Sequence, residues 1–173
     1  MPDDARPGPA PPPTLTLLQR REVEARIVGP LLRAMEAEFG RDRTLDLVRR
    51  VIADLAHQAG ADLARQLGDL SLESFAACLP RWNEGGALEM EILERTPTAL
   101  AFNVTRCRYA EMYRALGLAD LGFSLSCRRD GALAEGFNPA IRLTRTQTIM
   151  EGAPYCDFRF RLEGAGGAGG PSA

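Results

Sequence analysis

The chain has 173 residues, a formal net charge of −2, 21 arginines, 23 acidic residues, one histidine, four cysteines and no lysine. Without lysine there is no internal Schiff base, no lysine-anchored pyridoxal phosphate and no P-loop lysine, and the lone imidazole excludes zinc sites built from several histidines and any two-histidine relay. At 45% hydrophobic content the length suits one domain with its own core, and a near-balanced charge points to neither a nucleic acid nor an anionic membrane as partner.

Residues 1–13, MPDDARPGPAPPP, hold six of the twelve prolines and read as a disordered leader, acidic where a secretory signal would be basic. GAGGAGGPSA at the other end reads as a flexible tail, which leaves 14–163 as the working domain. No apolar run approaches the roughly 20 residues that span a bilayer. The expected compartment is the cytoplasm, where Cys78, Cys107, Cys127 and Cys156 are reduced.

From Leu15 to Phe39 the positions Val23, Ile27, Leu31, Ala34 and Met35 recur at helical spacing and predict a core-facing stripe, with a kink or a division into two helices at Gly29-Pro30. A second helix starting at Asp42 or Thr44 carries Leu45, Val48, Ile52, Leu55, Ala59 and Leu63, with His57 on the opposite, solvated face. Ser71 caps a third helix that Pro80 stops, with Cys78 on its apolar side beside Phe75. The period then changes to two. Leu88, Met90 and Ile92, followed across the turn at Arg95-Thr96-Pro97-Thr98 by Leu100, Phe102 and Val104, predict an antiparallel hairpin with one face on the core.

Helices return over Arg106 to Leu116 and about Ala119 to Cys127, and two strands close the pattern, Ile141 to Met150 and Tyr155 to Leu162. Helices followed by an antiparallel sheet with a helical insertion between strand pairs make the class α+β.

Cys107 has the strongest local case as a nucleophile. With Thr105 as N-cap it falls in the first helical turn, where free N–H groups and the flanking Arg106 and Arg108 favour a thiolate. Cys127 ends a helix ahead of Arg128 and Arg129, with Asp130 three residues on, and Cys156 opens a strand beside Asp157. Each cysteine also reads simply as a small buried hydrophobe. Three thiols could alternatively converge on zinc, although none of their spacings is the short CxxC type. Asn103 and Thr105 share the strand face opposite Phe102 and Val104. Alternation puts Thr144, Thr146 and Thr148 on one face and Leu143, Arg145 and Gln147 on the other. An inward arginine needs an anion, which makes Arg145 a candidate carboxylate anchor.

Four separated blocks, NVTRCRYAEMYRALG, LGFSLSCRRD, GFNPAIRLTRTQTIMEG and CDFRF, together with the helical EVEARIVGPLL, resemble the L-2-amino-thiazoline-4-carboxylic acid hydrolase family. Cys107, Cys127, Cys156, Asp130, Gly136, Arg145 and Asp157 match that family's pattern; Cys78 lies outside it. The resemblance implies hydrolytic opening of a cyclic amidine-like C–N/C–S unit, as in conversion of aminothiazoline carboxylate to N-carbamoyl-cysteine. On this reading Cys107, Cys127 and Cys156 with Asp130 and Asp157 form the catalytic set, and Asn103, Thr105, Arg106, Tyr109 and Arg145 contact a carboxylate-bearing substrate. No cofactor is required unless the three cysteines bind zinc, and a homo-oligomer is compatible with the sequence. The closing G-x-x-x-C-D-F block is also similar, at the level of fold, to small-molecule-binding domains of the 4-vinyl-reductase type. That gives the alternative expectation, a non-catalytic ligand-binding or sensing module.

Overall fold

The computed structural model describes residues 14–164, so the leader and the tail beyond Gly164 lie outside the described residues. Two long helices come first. α1 (Leu17–Phe39) starts at a capping box in which Thr16 Oγ1 accepts from the Gln19 N–H and Gln19 Oε1 accepts from the Thr16 N–H. α1 is one helix through Pro30, whose exposed position leaves the unpaired backbone carbonyl one turn earlier open to water. After Gly40 alone, α2 (Arg41–Leu67) runs to a left-handed glycine cap at Gly68.

The buried face of α1 is not the expected one. Ala25, Gly29 and Leu32 face inward, while Val23, Ile27, Leu31 and Ala34 face solvent and Met35 is half-buried. Small residues let α1 approach closely: a Cβ on Gly29 would lie 2.6 Å from Leu118 Cδ1. In α2 the expected stripe holds through Leu45, Val48 and Ile52, then continues through Ala56 and Gly60 while Leu55 and Ala59 are exposed. His57 is exposed as predicted.

Ser71 caps α3 (Leu72–Ala76) by accepting from the Ser74 N–H at 3.1 Å. Pro80, expected to stop this helix, instead stands at the start of a further turn, α4 (Leu79–Trp82), where its missing N–H costs nothing. Cys78 lies between the two helices and is half-exposed rather than buried.

The predicted hairpin is β1 (Leu88–Thr96) and β2 (Ala99–Cys107). Its two register shifts turn Ile92 outward, and only Leu88 and Met90 of the expected β1 set pack on the core. The next elements are α5 (Arg108–Ala115), α6 (Ala119–Gly122), a π-helical turn at Phe123–Cys127 and α7 (Arg129–Phe137). β3 (Ile141–Thr144) is shorter than expected, because at residues 145–148 the chain leaves the sheet for a 3₁₀ turn at Ile149–Glu151. There Thr148 is buried and caps the turn by accepting from the Glu151 N–H, which breaks the predicted alternation.

β4 (Cys156–Leu162) completes an antiparallel sheet of order β1-β2-β4-β3. Leu100, Phe102 and Val104 of β2 and Cys156, Phe158 and Phe160 of β4 form the core face, with Phe102 and Phe158 stacked at 4.8 Å. α3 and α7 cover it through Phe75, Ala134 and Phe137. A second apolar cluster lies among α1, α2, α5 and the π-helical turn. α7 is locked to α2 at Gly60 and Gly136, where an added Cβ would stand 2.1 Å from the Leu133 carbonyl oxygen and 2.0 Å from that of His57 respectively. This α+β arrangement positions Asp130, in the first turn of α7, against the sheet.

Candidate functional site

Cys107, Cys127 and Cys156 come from three different elements and meet where the two apolar clusters adjoin. Cys156 belongs to the sheet-side cluster, Cys127 packs on the helical one, and Cys107 touches both. All four cysteines are free thiols. Cys127 closes the π-helical turn, a local widening of the helix that recurs at functional sites.

Thr105 is not the cap expected. Leu88 pairs with Cys107, so the strand ladder holds the backbone extended up to Cys107 itself, which becomes the N-cap of α5 (φ −133°, ψ 103°). Thr105 sits exposed in β2, donating to the Glu89 carbonyl at 3.4 Å, and the helix begins at Arg108 rather than Arg106.

Asp130 is the electrostatic hub. Its carboxylate raises the pKa of all three thiols, and it accepts from Arg145 Nη1 at 2.6 Å. Arg145 also donates through Nη2 to the Cys127 carbonyl at 2.8 Å, and its guanidinium lies 4.8 Å from the centre of the Phe158 ring. The ion pair is sheltered, with side-chain exposures of 9% for Arg145 and 24% for Asp130. Arg145 thus has its anion within the chain. Burial pushes the Asp130 carboxyl up while Arg145 pulls it down.

Desolvation dominates the thiols. Burial pushes Cys107 up to about 11, and the backbone amides of Ala110 and Tyr109 at the start of α5 offset only part of this. The Cys127 thiol is driven well above its ordinary value by burial and then by Asp130. Cys156 is raised by burial although the Ile149 N–H donates to its sulfur at 3.2 Å. At neutral pH all three are thiols, so at Cys107 the helix N-terminus is outweighed by loss of solvent.

An open cleft of about 370 Å³ lies against this cluster, walled by Phe123, Cys127, Arg128, Arg145, Gln147 and Glu151 among others. Cys107, Cys156 and Asp130 are not part of that wall, although the charges of all three act on the Cys127 thiol. Arg128 is exposed and has no ion pair among the described residues. No group of three His, Cys, Asp or Glu side chains among the described residues is arranged to hold a metal ion.

The remaining sequence candidates are held elsewhere. Asn103 and Asp157 are cross-strand partners on the sheet face away from Phe102 and Cys156. Asn103 Oδ1 accepts from Arg159 at 2.9 Å. Asp157 accepts from the Thr146 hydroxyl at 2.7 Å and from the Gln147 N–H at 2.9 Å. Burial would raise this carboxyl, but those bonds outweigh it and hold its pKa below the ordinary value. Arg106 is exposed, bound to Glu111 at 2.8 Å and facing Glu89. Tyr109 donates to the Trp82 carbonyl at 3.0 Å, and burial pushes its hydroxyl up to about 12.

Arg129, which follows Cys127 closely in the sequence, is joined here by two charged residues with no local sequence signal, Arg21 and Glu24. Arg129 donates to the Leu125 carbonyl at 2.9 Å and lies 3.7 Å from Glu24. Glu24 is also paired with Arg21, whose charge acts on Tyr109, Tyr113 and Asp130. α1 supplies Arg21 and Glu24 across more than a hundred residues, a separation that no local pattern reveals. Phe158 was legible, since it follows Cys156 by two residues on one strand face.

No curated protein matches the chain. Among solved structures, a crystal structure of the phenol-responsive sensory domain of the transcription activator PoxR with phenol is similar at 15% identity. That likeness covers 86% of this chain and 76% of the other, with a TM-score of 0.49. The family model described as L-2-amino-thiazoline-4-carboxylic acid hydrolase matches residues 20–160, a span that contains most of α1, all of α2, the sheet up to Phe160, the three clustered cysteines and the Asp130–Arg145 pair. The chain belongs to the L-2-amino-thiazoline-4-carboxylic acid hydrolase family.

Proposed function

We propose that this protein is a cytoplasmic hydrolase that opens the ring of a small cyclic amidine-like carboxylate of the 2-aminothiazoline-4-carboxylate type, giving an N-carbamoyl-cysteine-like product, with Cys127 as nucleophile. The observation that carries this reading is the position of Cys127 in the wall of the cleft beside Arg145, which is paired with Asp130. A cleft of about 370 Å³ suits a ligand of roughly ten heavy atoms.

The carbon between ring nitrogen and ring sulfur is the electrophile. Cys127 Sγ adds to it, and the thiol proton passes to the ring nitrogen, an amidine nitrogen more basic than a carboxylate. Collapse of the adduct breaks the ring C–S bond and the departing sulfur takes a proton, leaving the amidine carbon bound to Cys127. Water then adds to that carbon and the Cys127 sulfur leaves, so that the net reaction consumes one water and no other reactant. A neutral resting thiol is consistent with this sequence, because deprotonation coupled to attack avoids a buried free thiolate. Arg128, exposed on the cleft wall, takes the substrate carboxylate, while Arg145 holds Asp130 in place.

The test is ring opening followed by mass spectrometry, with wild type beside the Cys107→Ser, Cys127→Ser and Cys156→Ser variants. The expected result is loss of turnover in Cys127→Ser, with folding intact by circular dichroism. Near-wild-type turnover in Cys127→Ser overturns the nucleophile assignment; if Cys107→Ser alone is inactive, Cys107 takes the role. A wild-type protein that retains such ligands through gel filtration but yields no product is a binding or sensing module.

A further inference from the structure

The two longest helices each turn a row of large apolar side chains to solvent. On α1 the row is Val23, Ile27 and Leu31, and on α2 it is Leu47, Val51 and Leu55, each spaced by four residues and each side chain between 42% and 61% exposed. Phe39 is exposed at the corner between the helices. Single exposed hydrophobes are ordinary, but rows at i, i+4 and i+8 form the ridges by which helices pack. Together these seven half-exposed large side chains leave on the order of 400 Å² of apolar surface on the two helices, an amount in the range of exposed area that marks interaction sites. The 22 residues outside the described part, MPDDARPGPAPPP and AGGAGGPSA, bring one large apolar side chain, Met1, and offer little to cover these ridges.

We propose that the α1 ridge is the interface of a two-fold homodimer, in which α1 packs antiparallel on α1 of a second copy with the α2 ridge extending the contact. Charge on the ridge selects a second copy of this chain. Arg20 and Glu38 are eighteen residues apart, about five full turns and about 27 Å along the helix, so they bracket the apolar row on its own face. Both are exposed, and neither makes an ion pair among the described residues. An antiparallel pairing centred near residue 29 brings Arg20 of each copy to Glu38 of the other, so the same contact forms twice and the surface is its own complement. With both ridges covered in each copy, roughly 800 Å² of apolar area leaves water, in line with the non-polar share of a standard interface of about 1,600 Å².

Sedimentation equilibrium from about 1 to 100 µM protein tests this, with circular dichroism and thermal unfolding as folding controls. Wild type is expected at twice the monomer mass at the upper concentrations. Ile27→Glu is expected to be a folded monomer; because the position is exposed, its unfolding temperature at low concentration should match that of wild type. Arg20→Glu should weaken the dimer at least tenfold, and the charge swap Arg20→Glu/Glu38→Arg should restore it. A wild type that stays monomeric at 100 µM, or a dimer that survives Ile27→Glu, overturns the proposal. So does a charge swap that fails to restore association, or a monomer that instead partitions onto lipid vesicles or is captured by a different protein.

Discussion

Replacing Arg145 by Met tests whether the Asp130–Arg145 pair organises the site. The guanidinium makes charge-assisted bonds to Asp130 at 2.6 Å and to the Cys127 carbonyl at 2.8 Å, and stacks on Phe158 at 4.8 Å. Such bonds contribute about 1.5–3 kcal/mol each and the stacking about 0.5–2 kcal/mol. Met refills part of the volume, so the dominant cost is the carboxylate left buried without its counter-ion, and the expected destabilisation is about 3–5 kcal/mol at pH 7. The pH dependence is diagnostic. Without Arg145, burial of Asp130 is opposed only by the charges of Arg21 and Arg129, and its folded pKa rises further above the ordinary 3.8. Between the unfolded and the higher folded value the native state holds more protons, so stability falls as pH rises. The deficit of Arg145→Met is therefore smallest near about pH 4 and grows toward neutrality. Adding Asp130→Asn removes the stranded charge, and the double variant should be about 2–3 kcal/mol more stable than the sum of the two singles predicts. Urea denaturation at several pH values measures all four corners of this cycle. A deficit below about 1 kcal/mol, one that does not change with pH, or an additive cycle would refute the pair as the organising contact.

The glycine crossing gives a sign test: Gly136→Ala in a helix interior would by propensity alone stabilise by about 1 kcal/mol. With a Cβ only 2.0 Å from the His57 carbonyl oxygen, it should instead cost at least about 1–3 kcal/mol, read as a lower urea midpoint, and Gly60→Ala should behave alike. Cys107, with its thiol up to about 11, carries roughly one part in ten thousand of thiolate at pH 7. Its alkylation by iodoacetamide, followed by peptide mass spectrometry, should be slow at pH 7 and accelerate about tenfold per pH unit up to about 10; fast labelling at pH 7 would contradict the burial argument. Asp157 has a lowered folded pKa, so its contribution is present above 3.8 and is lost as pH falls through the folded value. Asp157→Ala should cost about 1–3 kcal/mol at pH 7 and speed amide exchange at Thr146 and Gln147, which line the cleft.

The parts of this structure that were legible in the sequence are those set by local chemistry. Ser71 caps its helix because a hydroxyl can meet an N–H three residues on, and Phe102 and Val104 face the core because a strand alternates whatever lies beyond it. The cysteines were nameable as a set, but not their state, because burial is a property of the whole fold and it is burial that holds Cys107, Cys127 and Cys156 as thiols. Arg145 could be recognised as needing an anion; that Asp130 supplies it depends on how α7 crosses α2 at Gly60 and Gly136. α1 shows the sharpest limit of periodicity. Its strongest apolar row, Val23, Ile27 and Leu31, predicts a core face, whereas the fold buries Ala25, Gly29 and Leu32. A hydrophobic period reports that a face avoids water but does not report whose surface covers it. Inside the chain, close approach to Leu118 selects small residues, because a Cβ at Gly29 would already collide. Against another molecule no such approach is imposed, and Val, Ile and Leu are the residues that maximise the area removed from water. A helix with small residues on one face and large aliphatic residues on the other is therefore read most simply as packed on both, once within the chain and once across an interface.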